Sequence, residues 1–167
     1  MLFRAAASGR FTGAGLDVRC ALGSAGVIEA ARKREGDGYS PAGIWPLQRV
    51  LFRAHRIPAP QTKLPIAPLA QDDGWCDAPG NENYNRFVKL PCPAGAERLW
   101  RNDELYDVIV ILGFNDNPVV PGAGSAIFWH IAHTDYTPTQ GCVAIARADM
   151  LTALAEAAPG DTLEIVL

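Results

Sequence analysis

The sequence lacks an excess of positive charge: 15 Lys and Arg residues stand against 18 Asp and Glu residues in 167. The resulting net charge of −3 offers no broad cationic surface to a nucleic acid backbone or an anionic membrane. Apolar runs of membrane-spanning length are missing too. We therefore expect neither a nucleic acid nor a membrane as partner.

An export leader is also not visible, because the opening residues (MLFRAAASGR) reach glycine and arginine before an apolar segment forms. We expect a cytoplasmic protein if Met1 is the natural start, and a periplasmic one if a leader has been removed. With 49% hydrophobic and 20% charged residues, the chain suits one hydrophobic core. It is predicted to be a single domain over residues 1–167 and a monomer.

Cysteines at the Cys-x-x-Cys spacing are absent, which argues against a zinc knuckle or a thioredoxin-type redox pair. In a reducing cytosol we expect four free thiols, at Cys20, Cys76, Cys92 and Cys142. His130, His133 and Asp135 form His-x-x-His-x-Asp but have no partner glutamate at helical spacing. We therefore expect no metal and no other cofactor.

Glycine and proline are plentiful by contrast, since 16 glycines and 13 prolines divide the chain into short segments. This pattern predicts a mainly β domain. Leu16, Val18 and Cys20 alternate with other residues as in a strand, and residues 44–53 resemble a strand whose proline, Pro46, favours a sheet edge. Residues 106–114 and 125–131 read as buried strands.

Helical spacing occurs once, where Leu151, Leu154, Ala155 and Ala158 recur at i, i+3, i+4 and i+7. The Pro159-Gly160 pair should end this helix, and residues 162–167 alternate as a closing strand. The order places Cys142 just before a helix.

Three stretches rich in glycine and polar residues separate these elements, at 33–43, 71–86 and 115–124. Binding residues concentrate on such loops. The second stretch contains aromatic residues for apolar contacts and an arginine suited to a carboxylate, so it is a candidate cleft wall formed by Trp75, Tyr84, Asn85 and Arg86. The alternative is that Trp75 and Tyr84 are core aromatics and Arg86 is a surface charge.

The most informative stretch is 124–150, which contains two histidines and then Thr-Gln-Gly-Cys at 139–142. This quartet after the strand residue His130 resembles the catalytic signature of L,D-transpeptidase (YkuD-type) domains, usually a His, a loop, then Ser/Thr-His-Gly-Cys. The stretch EGDGYSPAG is similar to a turn of the same family. The resemblance implies a YkuD-like β-sandwich or open barrel with one or two short helices, one of them following Cys142.

The chemistry explains why these residue types belong together. A cysteine needs a partner that takes its proton, and His130 is the candidate, with its other ring nitrogen held by a backbone carbonyl or polar side chain. Gly141 allows a tight turn in which its amide and that of Cys142 bind an oxyanion. Thr139 is expected to fix the turn, and His133 to be an accessory or a surface residue. We expect Cys142 to be the thiol that reacts first with an alkylating agent.

Two positions depart from the family pattern. Gln140 stands where the family usually has His, and Ala144 stands where an arginine often follows, so Arg147 is a candidate replacement for that cation. The residues expected to bind substrate are Thr139, Gln140, His133, Trp75, Tyr84, Asn85, Arg86 and Arg147.

The resemblance implies that Cys142 attacks the bond between the third residue and the terminal D-alanine of a peptidoglycan stem peptide, forming a thioester. Water as acceptor gives an L,D-carboxypeptidase, and an amine gives an L,D-transpeptidase. Because no leader is visible, we expect hydrolysis of tetrapeptide muropeptides. Cross-linking or D-amino-acid exchange is the alternative, and a non-enzymatic domain that binds peptidoglycan fragments is less favoured.

Overall fold

The computed structural model describes residues 1–167 as a mainly β fold with one α-helix, as predicted. A single-turn 3-10 helix at Ala30–Arg32 precedes the longest strand. The elements are β1 (Leu2–Ala6), β2 (Arg10–Gly13), β3 (Leu16–Arg19), β4 (Gly26–Glu29), β5 (Tyr39–Phe52), β6 (Ile66–Pro68), β7 (Asp73–Trp75), β8 (Phe87–Lys89), β9 (Glu97–Arg98), β10 (Val108–Leu112), β11 (Phe128–Ile131), β12 (Val143–Ile145), α1 (Arg147–Glu156) and β13 (Thr162–Val166).

The main sheet runs in the order β12-β11-β10-β5-β13-β1-β2-β3, and β4 and β6 also pair with β5. Its two ends meet after β3, where Ala21 and Ala144 exchange backbone hydrogen bonds of 2.8 and 2.9 Å. The sheet is therefore a nearly closed barrel, consistent with the predicted YkuD-like architecture. A second sheet has the order β8-β7-β9.

The predicted edge position of residues 44–53 is wrong, because β5 lies in the middle of the main sheet between β10 and β13. Its 14 residues change partners along their length, from β4 to β13 and then to β10 and β6. Pro46 faces Thr162 at the end of β13, just before Leu47 begins the pairing with β10. A proline is tolerated there because the missing N–H falls where one ladder gives way to the next.

The two strands predicted to be buried are confirmed, as every residue of β10 and β11 is buried. These strands are adjacent and antiparallel, with Ile109 opposite His130. An imidazole on β11 is therefore carried by the most deeply packed part of the sheet. No helix in the fold combines the length and apolar character needed to cross a membrane.

The predicted helix is confirmed, but its buried face is shifted by one residue. The core contains Met150, Ala153, Leu154 and Ala157, whereas Leu151 is 39% exposed. Both sets follow the same i, i+3, i+4, i+7 spacing, so periodicity could not choose between them. The long side chain of Met150, fully buried in the main core, belongs to the observed set.

Replacing Leu154 by alanine should reduce the free energy of unfolding by about 2 to 5 kcal/mol, because its side chain is fully buried. The matched change Leu151→Ala, one face away on the same helix, should cost less than about 1 kcal/mol. Urea unfolding followed by circular dichroism measures both. Equal costs would contradict the helix orientation described above.

Candidate active site

The Cys142 thiol lies just before β12 and is held by two backbone groups. Its Sγ donates to the Ala126 carbonyl at 3.2 Å and accepts from the Phe128 amide at 3.3 Å. The residue is only 7% exposed and packs in the smaller hydrophobic cluster with Phe128 and Tyr106. The position of the sulfur is therefore fixed by β11 and the residues that precede it.

The turn that carries Cys142 is fixed from within and from outside. The Thr139 hydroxyl donates to the Cys142 carbonyl at 2.7 Å and accepts from the Gly141 amide at 3.1 Å, as expected for a residue that fixes the turn. Ser40 on β5 donates to the Gly141 carbonyl at 2.8 Å. Gly141 has a φ of 135°, and a Cβ there would lie 2.8 Å from the Tyr39 carbonyl oxygen, so the turn requires glycine.

The predicted pair of oxyanion donors needs correction. Because the Gly141 amide already donates to Thr139, it is not free to bind an oxyanion in this arrangement. The Cys142 amide donates no hydrogen bond within the protein, so it is the available donor of the two. The place of Gly141 in the site is therefore set by its backbone conformation.

The His130 ring is held in one tautomer by the backbone. Its Nδ1 lies 2.8 Å from the Ile131 carbonyl oxygen, the kind of partner that the sequence analysis expected. A carbonyl can only accept, so Nδ1 carries the hydrogen and Nε2 presents a lone pair. The Tyr106 ring packs edge-on against the imidazole, with 5.1 Å between centroids. His130 is thus arranged to accept a proton at Nε2.

Burial keeps both groups neutral. It lowers the pKa of His130 to about 4, and the Ile131 carbonyl only partly opposes this shift. Burial also raises the pKa of the Cys142 thiol to about 12, with a further contribution from the Glu97 carboxylate. At neutral pH the pair is therefore a thiol and a neutral imidazole, and the sulfur becomes nucleophilic only as its proton is removed.

One cavity of about 580 Å³ contains the thiol and the imidazole. Most of the residues that line it are polar or charged, and it also brings together three of the predicted substrate-binding residues, His133, Thr139 and Gln140. The charged side chains that line it are Lys33, Glu35, Asp77, Glu97 and Arg101. The volume is in the range of small-molecule sites, about 300 to 1,000 Å³.

The predicted cleft wall needs correction, because none of its four named residues lines this cavity, although Asp77 of the same stretch does. Trp75 is a core aromatic whose ring packs against Phe128, with 5.2 Å between centroids. Tyr84 is buried and donates its hydroxyl hydrogen to Glu35. Arg86 is a surface residue paired with Asp116.

Asn85 supports the site without lining it. It adopts a left-handed φ of 54°, and its Oδ1 accepts from Trp75 Nε1 at 2.8 Å and from the Ala126 amide at 3.1 Å. Its Nδ2 donates to the Phe114 and Asn115 carbonyls at 3.0 and 2.8 Å. Since the Ala126 carbonyl accepts from the Cys142 thiol, Asn85 positions one of the groups that hold the sulfur.

Arg147 does not supply the missing cation, because its Nη2 bonds to Asp107 at 2.9 Å and Glu104 at 3.0 Å outside the cavity. The cations that line the cavity are Lys33 and Arg101. Lys33, Glu35 and Asp77 lie in two of the loops that were predicted from sequence to carry binding residues. Glu97 and Arg101 were missed, since no motif or periodicity marks them.

The four cysteines are free thiols that differ in exposure: Cys20, Cys76 and Cys142 are buried, and Cys92 is partly exposed. Contrary to the expectation from sequence, limiting iodoacetamide at neutral pH should therefore label Cys92 before Cys142. Peptide mapping by mass spectrometry measures the order, and denatured protein, in which the four should react at similar rates, is the control. Preferential labelling of Cys142 in the folded protein would indicate a thiolate that this arrangement does not favour.

Comparison with known proteins shows the family to which this site belongs. A family model described as the YkuD L,D-transpeptidase catalytic domain matches residues 7–165, which include every residue of the cavity. No curated protein and no solved structure matches the chain. A match over nearly the whole sequence shows the family: the chain belongs to the YkuD family of L,D-transpeptidase catalytic domains.

Proposed function

We propose that this protein is an L,D-carboxypeptidase that removes the terminal D-alanine from tetrapeptide muropeptides, with Cys142 as nucleophile and His130 as base. Membership of the family makes it a cysteine-dependent, L,D-transpeptidase-type enzyme of peptidoglycan stem peptides. The observation that carries the assignment of roles is that both residues line one cavity, with Nε2 of His130 free to accept a proton.

Acylation begins from the neutral pair. As the sulfur attacks the carbonyl carbon of the third stem residue, the thiol proton moves to Nε2 of His130, and the Cys142 amide is available for the developing oxyanion. The bond between that carbon and the nitrogen of D-alanine then breaks. The leaving nitrogen takes the proton from His130, which leaves a thioester on Cys142 and a free amino acid.

Deacylation repeats the same steps with water. A water molecule gives a proton to Nε2 as its oxygen attacks the thioester carbon, and the bond from carbon to sulfur breaks. The sulfur then takes that proton back from His130. The products are a tripeptide and the original thiol, with no cofactor required.

The cavity supports water as the acceptor. Five charged side chains, together with His130 and His133, are among the residues that line it. Such groups form hydrogen bonds with water, so they favour water close to the thioester. The loop after β11 leaves His133 and Thr137 exposed at the cavity.

A transpeptidase is the second candidate, and one observation favours it. A smaller cavity of about 320 Å³ adjoins the first and shares Glu97 and Arg101 with it. Its other lining residues are Arg98, Trp100, Asn102 and Asp103. This second cavity offers space beside the first for an acceptor, which a cross-linking or exchange reaction requires.

The two candidates differ in their products. Incubation with a disaccharide tetrapeptide should release D-alanine and leave a tripeptide, as measured by mass spectrometry. Adding a second D-amino acid should leave the tripeptide as the main product, whereas its conversion to an exchanged tetrapeptide would favour the transpeptidase.

Cys142→Ala should lower turnover to less than about a hundredth of the wild-type rate, because the covalent step is lost. The control Cys92→Ala, which removes a thiol outside the cavity, should keep the wild-type rate. Comparable activity in the two variants would rule out Cys142 as the nucleophile.

The pH dependence of kcat/KM should report the buried base. Because burial lowers the pKa of His130 to about 4, the imidazole is neutral above about pH 5, and kcat/KM should stay level from there to neutral pH and fall on further acidification. His133→Ala should keep this profile, and His130→Ala should lose about a hundredfold or more in rate. Circular dichroism at each pH separates titration from unfolding. A midpoint near 6.5, the ordinary value for histidine, would contradict a buried neutral base.

A further inference from the structure

Arg101 is the cation that lies on the histidine side of the cavity. Its guanidinium carbon is 5.0 Å from the centre of the Tyr106 ring, and the His130 ring packs against the same ring, with 5.1 Å between centroids. The guanidinium therefore contacts the same aromatic ring as the imidazole proposed as the base, and it lines the same cavity as the thiol.

The Arg101 guanidinium is held by Asp103, but one of its nitrogens has no hydrogen-bond partner. Its Nε donates to the two Asp103 carboxylate oxygens at 2.9 and 3.1 Å, and its Nη2 donates to Asp103 Oδ2 at 2.6 Å. Arg53 donates to the Arg101 carbonyl at 2.5 Å. Nη1 makes no hydrogen bond in the protein, so one end of the planar group remains available for a second carboxylate.

No other group in the cavity occupies that end. Glu97 forms no ion pair with Arg101 and instead accepts from the Tyr106 hydroxyl. The Glu97 side chain is therefore held by Tyr106 and leaves Nη1 of the arginine without a partner.

The second cation of the cavity is already engaged. Lys33 is almost fully buried in the loop before β5, where its Nζ donates to Asp37 at 2.6 Å and to the Arg34 carbonyl at 2.7 Å. Asp37 also accepts from the backbone amides of Arg34 and Tyr39. The lysine thus serves to hold this loop.

The proposed reaction places a carboxylate near His130. The nitrogen that leaves takes its proton from Nε2, and in a terminal amino acid the carboxylate is attached one carbon away from that nitrogen. We propose that Arg101 binds the free carboxylate of the terminal residue of the stem peptide and thereby selects stems that end at the scissile residue. This inference rests on the proposed function. Arg101 then supplies the cation that faces the substrate, since position 144 is an alanine and Arg147 lies outside the cavity.

The test compares two synthetic tetrapeptides, one ending in a free D-alanine carboxylate and the other in D-alanine amide, and measures kcat and KM for each. Wild-type protein should prefer the free acid by about tenfold or more, chiefly through KM. Arg101→Gln should lower kcat/KM for the acid to near the value for the amide and leave the amide almost unchanged. Arg101→Lys should restore part of the preference. The control Arg4→Gln, on β1 and outside both cavities, should keep it.

Two results would overturn the inference: wild-type protein that does not distinguish the two substrates, or an Arg101→Gln variant that loses the same factor on both. The first needs no variant, so misfolding cannot obscure it. A wild-type protein that releases neither D-alanine nor its amide would instead overturn the proposed function, and this inference with it.

Discussion

The backbone hydrogen bonds that close the barrel are the constraint on which the site depends. Residues just after β3 hydrogen-bond to both ends of the turn that carries the thiol: Ser24 donates to the Thr139 carbonyl at 2.8 Å, and Ala21 pairs with Ala144. Thr139 in turn donates to the Leu22 carbonyl at 2.9 Å. A turn held on both sides in this way has little freedom. The hydrogen bonds that close the barrel therefore also fix the position of the Cys142 thiol.

Burial gives that rigid site its electrostatic character. A deeply packed strand positions His130 and removes water from it, and the same packing surrounds Cys142. Each group is therefore more stable neutral than charged, which opposes a preformed ion pair of thiolate and imidazolium. Catalysis by such a pair must couple proton transfer to attack on the carbonyl. The cost is a thiol with low intrinsic reactivity, and the benefit is a base that stays unprotonated in mildly acidic solution.

Sequence could predict what local patterns determine. The Thr-x-Gly-Cys turn and the buried strand before it pointed to Cys142 and His130, and the structure places both in one cavity. These features are visible in sequence because a tight turn needs glycine and a strand fully inside the core is apolar on both faces. The buried face of the helix was predicted wrongly because alanines occur on both the predicted and the observed face, so both faces look apolar in the sequence. The central position of β5 was missed because a proline indicates an edge strand only when the strand pairs with the same neighbours along its whole length. β5 changes its pairing partner next to Pro46. Arg101 could not be predicted, since its role depends on contacts with Tyr106 and Asp103 that no spacing shows.

The two sheets contribute different parts of the site. The main sheet and its closing turn carry the thiol and the imidazole. Asp77, by contrast, lies two residues after β7, Glu97 lies on β9, and Arg101 lies three residues after β9. The small sheet thus brings most of the charged wall to a nucleophile positioned by the barrel. A change in its loops can alter the charges that meet a substrate without moving the sulfur. This separation explains why the motif on the main sheet indicates the reaction class, while the residues to which we assign the choice of terminal group lie outside that motif.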